Sequence, residues 1–229
     1  MEVGYEEQTM NEAINSHAIN YEKLREVLKE EAPSKTQTEE FLLQELPYIW
    51  REHYLRMTAR ETTLLSIEYQ GFQYYYDHYT YLEVKGALPH SETDEDRVIG
   101  VIGRSMRAET GRAEASAWLK GLIGGTEERW GKHFDKGHFI AHSMGGGLQL
   151  NIFPQRRDIN RGWSVEGKRF REMEKYCVLH PGTLCFHRPI YLDEGFKPAA
   201  LDFGFVTEEG ELLVERFDNT EAATESGEA

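Results

Sequence analysis

A segment near the middle of the chain concentrates side chains that could move protons or hold a cation. These residues are Asp135, Lys136, His138, Asn151, Gln155 and Asn160. Hydrolysis of a phosphodiester requires a group that takes a proton from the attacking water, and a neutral histidine such as His138 suits this task. A divalent cation held by hard oxygen ligands can neutralise the phosphate oxygens and assist the leaving oxygen. The residue types therefore match the parts of a metal-dependent phosphodiesterase.

The surrounding pattern predicts how these side chains are positioned. Residues 131–206 favour the order strand, glycine-rich turn, strand, helix and further strands. Gly137 lies inside the first strand-like stretch, where the missing side chain lets another chain or a ligand approach the backbone closely. Asn151 and Gln155 lie among apolar residues and are expected to be half-buried, so their amides need partners. They can brace a loop, or they can hold a metal ion and its waters.

Taken in order, these motifs resemble the DNA/RNA non-specific endonucleases of the His-Me finger, or ββα-metal, superfamily. The matching elements are Asp135-Lys136-Gly137-His138, the glycine-rich turn, Asn151-x-x-Pro-Gln155, Asn160 and Phe170-Arg171-Glu172-Met173-Glu174. The resemblance covers residues 131–206 and implies metal-dependent cleavage of DNA and/or RNA. It also implies Mg²⁺ as the cofactor, with Mn²⁺ as a substitute.

The resemblance implies a role for each matching residue. The implied catalytic residues are His138, Asp135, Lys136, Asn151 and Gln155, and the implied metal-site residues are Asn160 and Glu174. Of these, His138 is the general base, Asp135 orients its strand, and Asn160 is the direct protein ligand of the ion. Glu174 supports the water shell of the ion, while the two buried amides brace the site.

Two features depart from the pattern of the family. Lys136 stands where the family has arginine, and lysine cannot grip a phosphate through two parallel hydrogen bonds. The segment between Asn160 and the carboxylate is also longer than usual. Glu166 lies nearer the usual distance, whereas Glu174 keeps the local sequence pattern, so both remain candidates.

The expected helix from about Gly167 to Tyr176 favours Glu174 over Glu166. On that helix Glu174 shares a face with apolar residues such as Phe170 and Met173. A carboxylate on a buried face needs a partner, and a metal ion would be one.

Other functions fit parts of the same pattern. Lys136 and the longer segment support a catalytically weakened nucleic-acid-binding or partner-binding domain that keeps the nuclease fold. A zinc-stabilised scaffold without nuclease activity is a further alternative, although its spacing matches no usual zinc knuckle. Its ligands would be Cys177, His180, Cys185 and His187. Asn160 could also serve only as a helix cap.

The charge distribution permits a nucleic-acid partner although the chain has a formal net charge of −14. Residues 131–200 carry 11 Lys or Arg and 7 Asp or Glu, and phosphates respond to this local balance. In this segment Arg156, Arg157 and Arg161 are candidate substrate contacts, with a solvated surface as the alternative. Further candidates are Arg97, Arg104 and Arg112. The expected partners are a DNA or RNA substrate and an inhibitor protein.

The whole pattern predicts an α+β fold, in which a central antiparallel sheet carries the ββα-metal motif. The predicted elements outside that motif are a helix over 10–31, a helix from Thr38 through Leu46 that Pro47 interrupts or restarts toward Arg60, strands within 62–84, a loop over 89–96 and a short helix over 113–123. The predicted units are a helical N-terminal extension (1–60), a nuclease-like α+β domain (61–219) and a disordered acidic tail (220–229).

The chain shows neither a membrane span nor a signal peptide. No apolar run approaches the ~20 residues that a transmembrane helix needs, and the acidic N-terminus lacks the apolar stretch of a signal peptide. Its two cysteines, Cys177 and Cys185, are too few for a disulfide framework, so reduced thiols are expected. These features predict a cytoplasmic protein, or one exported by a route that needs no such signal.

Overall fold

A six-stranded antiparallel sheet forms the centre of the protein. The described strands are β1 (Leu64–Tyr69), β2 (Phe72–Asp77), β3 (Arg97–Arg104), β4 (Phe134–His138), β5 (Ile152–Arg156), β6 (Leu184–Ile190), β7 (Ala200–Val206) and β8 (Leu212–Asp218). The central sheet has the order β1-β2-β3-β6-β7-β8, and β4 and β5 pair separately. The structure is a computed structural model that describes residues 10–58, 63–77, 97–108, 131–147, 150–193, 195 and 197–221. The predicted α+β class with a central antiparallel sheet is confirmed.

The first hairpin of the sheet shows how local sequence sets the pairing. Gln70 and Gly71 join β1 to β2, and both have positive φ angles of 55° and 75°. Two successive residues in this conformation form the tight turn whose twist matches that of paired strands. Phe72 and Tyr74 in β2 then point into the core and are fully buried.

The first predicted helix is interrupted, so the expectation of one helix over 10–31 is wrong. Helix α1 covers 10–16, and α2 (Tyr21–Glu31) begins after a short break. The side chain of Asn20 accepts a hydrogen bond from the backbone N–H of Lys23 at 3.0 Å. This cap stabilises a new helix start at the break. Buried apolar residues such as Ile14 and Leu24 lie on both sides of the break, so the sequence pattern alone predicts one continuous helix.

The second predicted helix begins at Lys35, before the expected Thr38, and Pro47 does not interrupt it. Helix α3 (Lys35–Met57) runs through this proline, and Ser34 and Gln37 form a capping box at its start. Proline removes one backbone hydrogen bond within a helix. The helix continues because its buried face, including Leu42 and Trp50, packs against the sheet on both sides of Pro47.

The two faces of the sheet are covered by different helices. On the face called here the helical side, α2 and α3 pack on strand residues, and the rings of Trp50 and Phe186 lie 5.8 Å apart. On the opposite face, called the hairpin side, Phe170 lies 5.4 Å from the ring of Phe203. Each face therefore has its own apolar cluster.

Between β3 and β6 the chain leaves the sheet and builds the hairpin side. Strands β4 and β5 form a separate antiparallel pair, followed by α4 (Arg157–Arg161) and α5 (Val165–Leu179). The extra residues before α5 form a turn, in which Gly162 adopts a φ of 71° and Ser164 caps α5 through the N–H of Gly167. The order strand, turn, strand, helix matches the sequence prediction.

Several predictions fall on residues that the structure does not describe. They are the strand segment 78–84, the loop 89–96, the helix 113–123, Arg112 and the tail from residue 222 onward. Residues 59–62 are also outside the described ranges, so the domain boundary near residue 60 stays a prediction. None of the described helices is long and apolar enough to cross a membrane.

Candidate active site

The β4–β5 hairpin places the predicted residues on two faces. Asp135 lies opposite Gln155, and Lys136 lies opposite Pro154 in the register. Because side chains alternate along a strand, Lys136 and His138 share one face of the hairpin and Asp135 lies on the other. His138 is half-buried at the end of β4.

Asn151 ties the glycine-rich turn to the rest of the hairpin side. Its side-chain oxygen accepts hydrogen bonds from the N–H of Ile140 at 2.7 Å and the hydroxyl of Tyr74 at 3.0 Å. Its amide nitrogen donates to the carbonyls of Ile140 and Gly147, both at 2.7 Å. The N–H of Phe139 donates to the backbone oxygen of Asn151 at 2.9 Å. The amide is fully buried and satisfied, so it fixes the chain next to His138.

Gly137 is required by the packing of Gln155. A Cβ atom at Gly137 would lie 2.3 Å from both Cβ and Oε1 of Gln155, a distance that no real side chain tolerates. Gln155 is 2% exposed, so its side chain occupies the space over the glycine. The close approach expected at Gly137 is therefore made by the neighbouring strand.

Asp135 joins β4 to α4 through two arginines. Its carboxylate accepts hydrogen bonds from Arg157 at 3.0 Å and from Arg161 at 2.6 Å. Burial works to raise the pKa of Asp135, but the hydrogen bonds from Arg161 and Arg157 outweigh it and hold the pKa below its ordinary value. The residue is therefore a charged anchor between the two elements.

Arg156 is buried among carboxylates. It donates to Asp158 at 2.7 Å and also contacts Glu166, while Asp218 lies 3.5 Å away. Glu166, the alternative site carboxylate, is thus placed beside this arginine. All three arginines predicted as substrate contacts are paired with carboxylates, and their contact with phosphate stays a prediction.

Asn160 and Glu174 lie on separate helices and share one neighbour, Arg171. The guanidinium of Arg171 donates to the backbone oxygen of Asn160 at 2.5 Å and to the carboxylate of Glu174 at 3.2 Å. Glu174 is only 9% exposed. Burial raises its pKa to about 7, because the attraction of Arg171 offsets only part of the cost of removing the charge from water.

The four residues of the zinc alternative do not form a metal site. Cys177 and Cys185 are fully buried in the apolar cluster of the hairpin side. His180 pairs with Glu208 at 3.1 Å, whereas His187 is buried with both ring nitrogens lacking a partner among the described residues. Within the described part of the chain, no group of three or more His, Cys, Asp or Glu side chains is placed to hold a metal ion.

Two contributors to this region were not identified from the sequence. The sequence assigns no role to Arg171, yet its guanidinium bridges the backbone oxygen of Asn160 and the carboxylate of Glu174. Its position three residues before Glu174 on a helix is the signal that could have revealed the pairing. Trp163 is 63% exposed, and the guanidinium of Arg161 lies 4.9 Å from its ring centroid.

Two solved structures show a low similarity to the chain. One is an extracellular endonuclease with 12% sequence identity and a TM-score of 0.37, and the match covers 72% of this chain and 93% of the other. The second is the Sda1 nuclease with bound zinc ion, with 14% identity, a TM-score of 0.33 and coverage of 75% and 82%. No protein-family model and no curated protein sequence matches the chain. At these identities and TM-scores, the similarity does not identify the family or the reaction of this chain.

Proposed function

We propose that the chain is a metal-dependent endonuclease that hydrolyses phosphodiester bonds of DNA and/or RNA, built on a ββα-metal motif. The observation that carries this proposal is that Arg171 donates hydrogen bonds to the backbone oxygen of Asn160 and to the carboxylate of Glu174, which links the two helices of the proposed metal site. The buried carboxylate thus lies next to the helix that carries the neutral amide. The same helix is linked to β4, the strand of the proposed base His138, through the ion pair of Arg161 with Asp135.

The donor groups fit a hard divalent cation. Asn160 would offer a neutral oxygen, and Glu174 would offer a carboxylate or accept hydrogen bonds from metal-bound water. With so few protein ligands the ion would keep several waters, which Mg²⁺ prefers and Mn²⁺ tolerates. Such a cation supplies charge neutralisation at the phosphate oxygens and stabilises the leaving oxygen.

His138 is the group we assign to proton transfer. A neutral imidazole can accept the proton that the attacking water loses. The neighbouring backbone is held by the buried hydrogen bonds of Asn151, and Asp135 anchors the start of the same strand to α4. These contacts would keep the imidazole in one position, because the strand that carries it has little freedom to move.

Substrate contacts are proposed on two surfaces. Lys136 shares the hairpin face of His138 and would neutralise a phosphate as a point charge. Trp163 and Arg161 together present an exposed ring and a guanidinium, a combination that suits stacking and charge contact with a nucleic-acid strand. Arg156 is the weakest of the candidate contacts, because its carboxylate partners would have to release it.

One observation supports the alternative of a weakened binding domain that keeps this fold. Arg156, Arg157 and Arg161 are all engaged by carboxylates, which lowers the positive charge available to a transition state. Together with Lys136 in place of arginine, this could reduce turnover while the surface still binds a nucleic acid or a protein partner.

Cleavage assays separate the two functions. Supercoiled plasmid and RNA are incubated with the full chain in Mg²⁺, in Mn²⁺ and in EDTA. We expect cleavage with either cation and none in EDTA, with activity restored when Mg²⁺ is added back in excess. Full activity in EDTA would refute the metal-dependent reaction. Slower gel migration of uncut plasmid in the presence of the protein, with no cleavage in either cation, would favour the weakened binding domain.

Calorimetry tests the assignment of Asn160 without relying on activity. Asn160→Ala should lose the heat signal of Mg²⁺ or Mn²⁺ binding, because it removes the neutral oxygen ligand. Asn11→Ala, an exposed change on α1, is the matched control and should keep the signal. Asn160 lies inside α4, and Ser164 caps α5, so the alternative role of Asn160 as a helix cap is wrong. An unchanged signal in Asn160→Ala would therefore show that Asn160 does not bind the ion.

A further inference from the structure

A cavity of about 210 Å³ lies on the helical side of the sheet, away from the proposed active site. Its walls come from the C-terminal half of α3, the start of β3 and the end of β6. The residues used below are Trp50, Tyr54, Arg97, Arg188 and Tyr191. None of them takes part in the proposed hydrolysis.

Arg97 is a buried cation with an unusual set of partners. It is 3% exposed. Its guanidinium donates to the backbone oxygen of Asp193 at 2.9 Å and lies 4.1 Å from the ring centroid of Tyr191. Its cross-strand neighbour Asp77 is buried as well and accepts a hydrogen bond from the hydroxyl of Tyr54 at 2.7 Å. The Nε–H of Arg97 has no acceptor among the described residues. A buried donor without an acceptor is costly, so an anionic oxygen at this position would stabilise the protein.

The second arginine of the cavity is incompletely neutralised. Arg188, 5% exposed, shares the carboxylate of Asp202 with Arg216, at distances of 3.2 Å and 2.7 Å. One carboxylate thus serves two guanidinium groups. Burial first, and then the charge of Arg188, lower the pKa of His17 and His53. The lining residues thus include two arginines, Arg97 and Arg188, and one aspartate, Asp193, so the cavity offers cationic donors to an anion.

The remaining walls define the shape of a suitable ligand. Tyr54, Tyr191 and Trp50 surround the cavity with aromatic surface. The indole N–H of Trp50 is buried without an acceptor among the described residues. Buried donors need acceptors, and flat aromatic walls favour a flat apolar body.

We propose that this cavity binds a small organic anion, with one carboxylate or phosphate group on a flat apolar body. The anionic oxygens would accept hydrogen bonds from Arg97 and face the excess charge of Arg188. The apolar body would lie against Trp50 and the two tyrosine rings. Carboxylate and phosphate share this chemistry, and the probes below distinguish them.

Titration calorimetry on the full chain tests the proposal with four probes: benzoate, phenyl phosphate, inorganic phosphate and benzyl alcohol. We expect benzoate or phenyl phosphate to bind, inorganic phosphate to bind more weakly, and benzyl alcohol to show no binding. The tighter of the two aromatic anions identifies the anionic group. Absence of binding by both aromatic anions, or equal binding of benzyl alcohol, would overturn the proposal.

Variants locate the binding to the cavity. Arg97→Gln should lower the affinity for the aromatic anion by about tenfold or more, since a hydrogen bond to a charged group is lost. Arg169→Gln removes the same charge from an exposed pair with Glu215 and should leave affinity unchanged. Equal weakening by both changes would show that only net charge matters and would refute the site.

A measurement on the unaltered protein covers the case in which Arg97→Gln does not fold. The indole N–H resonance of Trp50, assigned with Trp50→Phe, should shift when benzoate or phenyl phosphate is added. A bound anion that leaves this resonance unchanged would place the ligand elsewhere and contradict the proposal.

Discussion

Two buried carboxylates on opposite sides of the sheet differ in how they are neutralised. Asp202 on the helical side is 1% exposed and accepts hydrogen bonds from Arg188, Arg216 and the hydroxyl of Tyr21. Glu174 on the hairpin side has, among the residues that the structure describes, a single charged partner, Arg171, whose side chain is 54% exposed. The two groups are buried to a similar degree, but only one is surrounded by donors.

This difference separates a structural charge from one suited to a ligand. Asp202 accepts three hydrogen bonds, and these join strands and α2 into one unit. Glu174 accepts one from Arg171, and burial, which this partner offsets only in part, raises its pKa to about 7. A cation would complete the environment of Glu174, whereas it would add nothing at Asp202.

The largest effect is expected at His138, because the proposed base acts in the reaction and not in folding. His138→Ala should lower plasmid cleavage by ~10²–10⁴-fold with an unchanged circular dichroism spectrum. His133→Ala, an exposed change beside the same strand, is the control and should keep activity. Near-normal cleavage by folded His138→Ala would rule out the proposed base.

On the helical side, Asp202→Asn should destabilise the protein by about 3–5 kcal/mol, because it leaves the buried Arg188 and the partly buried Arg216 without their shared carboxylate. The loss should be the same with and without Mg²⁺. Chemical denaturation in both conditions measures it. A loss that Mg²⁺ alters would mean that the cation acts on both sides of the sheet.

The two candidate metal-site glutamates, Glu174 and Glu166, should differ in their effect on cleavage and on stabilisation by Mg²⁺. Glu174→Gln should strongly reduce Mg²⁺-dependent cleavage and remove the rise in melting temperature that Mg²⁺ causes, with little loss of metal-free stability. Glu166→Gln should have a small effect on both, because Glu166 is partly exposed and pairs with Arg156. The reverse ranking would assign the metal site to Glu166.

The smallest effect is a dependence of metal-free stability on pH. In the folded chain the pKa of Glu174 is about 7, against an ordinary value of 4.5. Below 4.5 both states carry the proton, so the group costs nothing. As pH rises from 4.5 to 7 the unfolded chain ionises first and stability falls, by roughly 3 kcal/mol at most.

Glu174→Gln should remove this loss. In EDTA, the melting temperature of the variant relative to the parent should therefore rise between about pH 5 and about pH 8. Mg²⁺ should reduce the difference at the higher pH. A difference that stays constant with pH would mean that Glu174 is not desolvated in solution.

Sequence periodicity predicted the elements that depend on local pattern. The helix carrying Glu174 follows from the spacing of Phe170, Met173 and Cys177, and α5 buries these residues as expected. The two helix predictions that are wrong, at the break 17–20 and at Pro47, have a different origin. In both places a cap or the packing against the sheet decides whether the helix continues, and neither is visible in a helical repeat.

The partners of charged residues were largely beyond sequence analysis. The sequence makes Arg157 and Arg161 candidates for phosphate contact or for a solvated surface, yet both reach Asp135, more than twenty residues away in the chain. Arg97 had no feature that selected it from other arginines, and its burial depends on strand pairing and on Tyr191. Such contacts are fixed by the tertiary fold, so spacing alone cannot assign them.

The position of the hairpin between β3 and β6 has a consequence for the order of folding. Strands β1–β3 and β6–β8 each form a local meander, and the pairing of β3 with β6 joins them. That pairing closes a loop containing residues 105–183, and long loops carry a high entropic cost and slow folding. The apolar cluster that holds α5 combines residues of both meanders, Phe72 and Phe203 among them, so the packing around Glu174 is complete only after this closure. The proposed active site would therefore form after both meanders are complete.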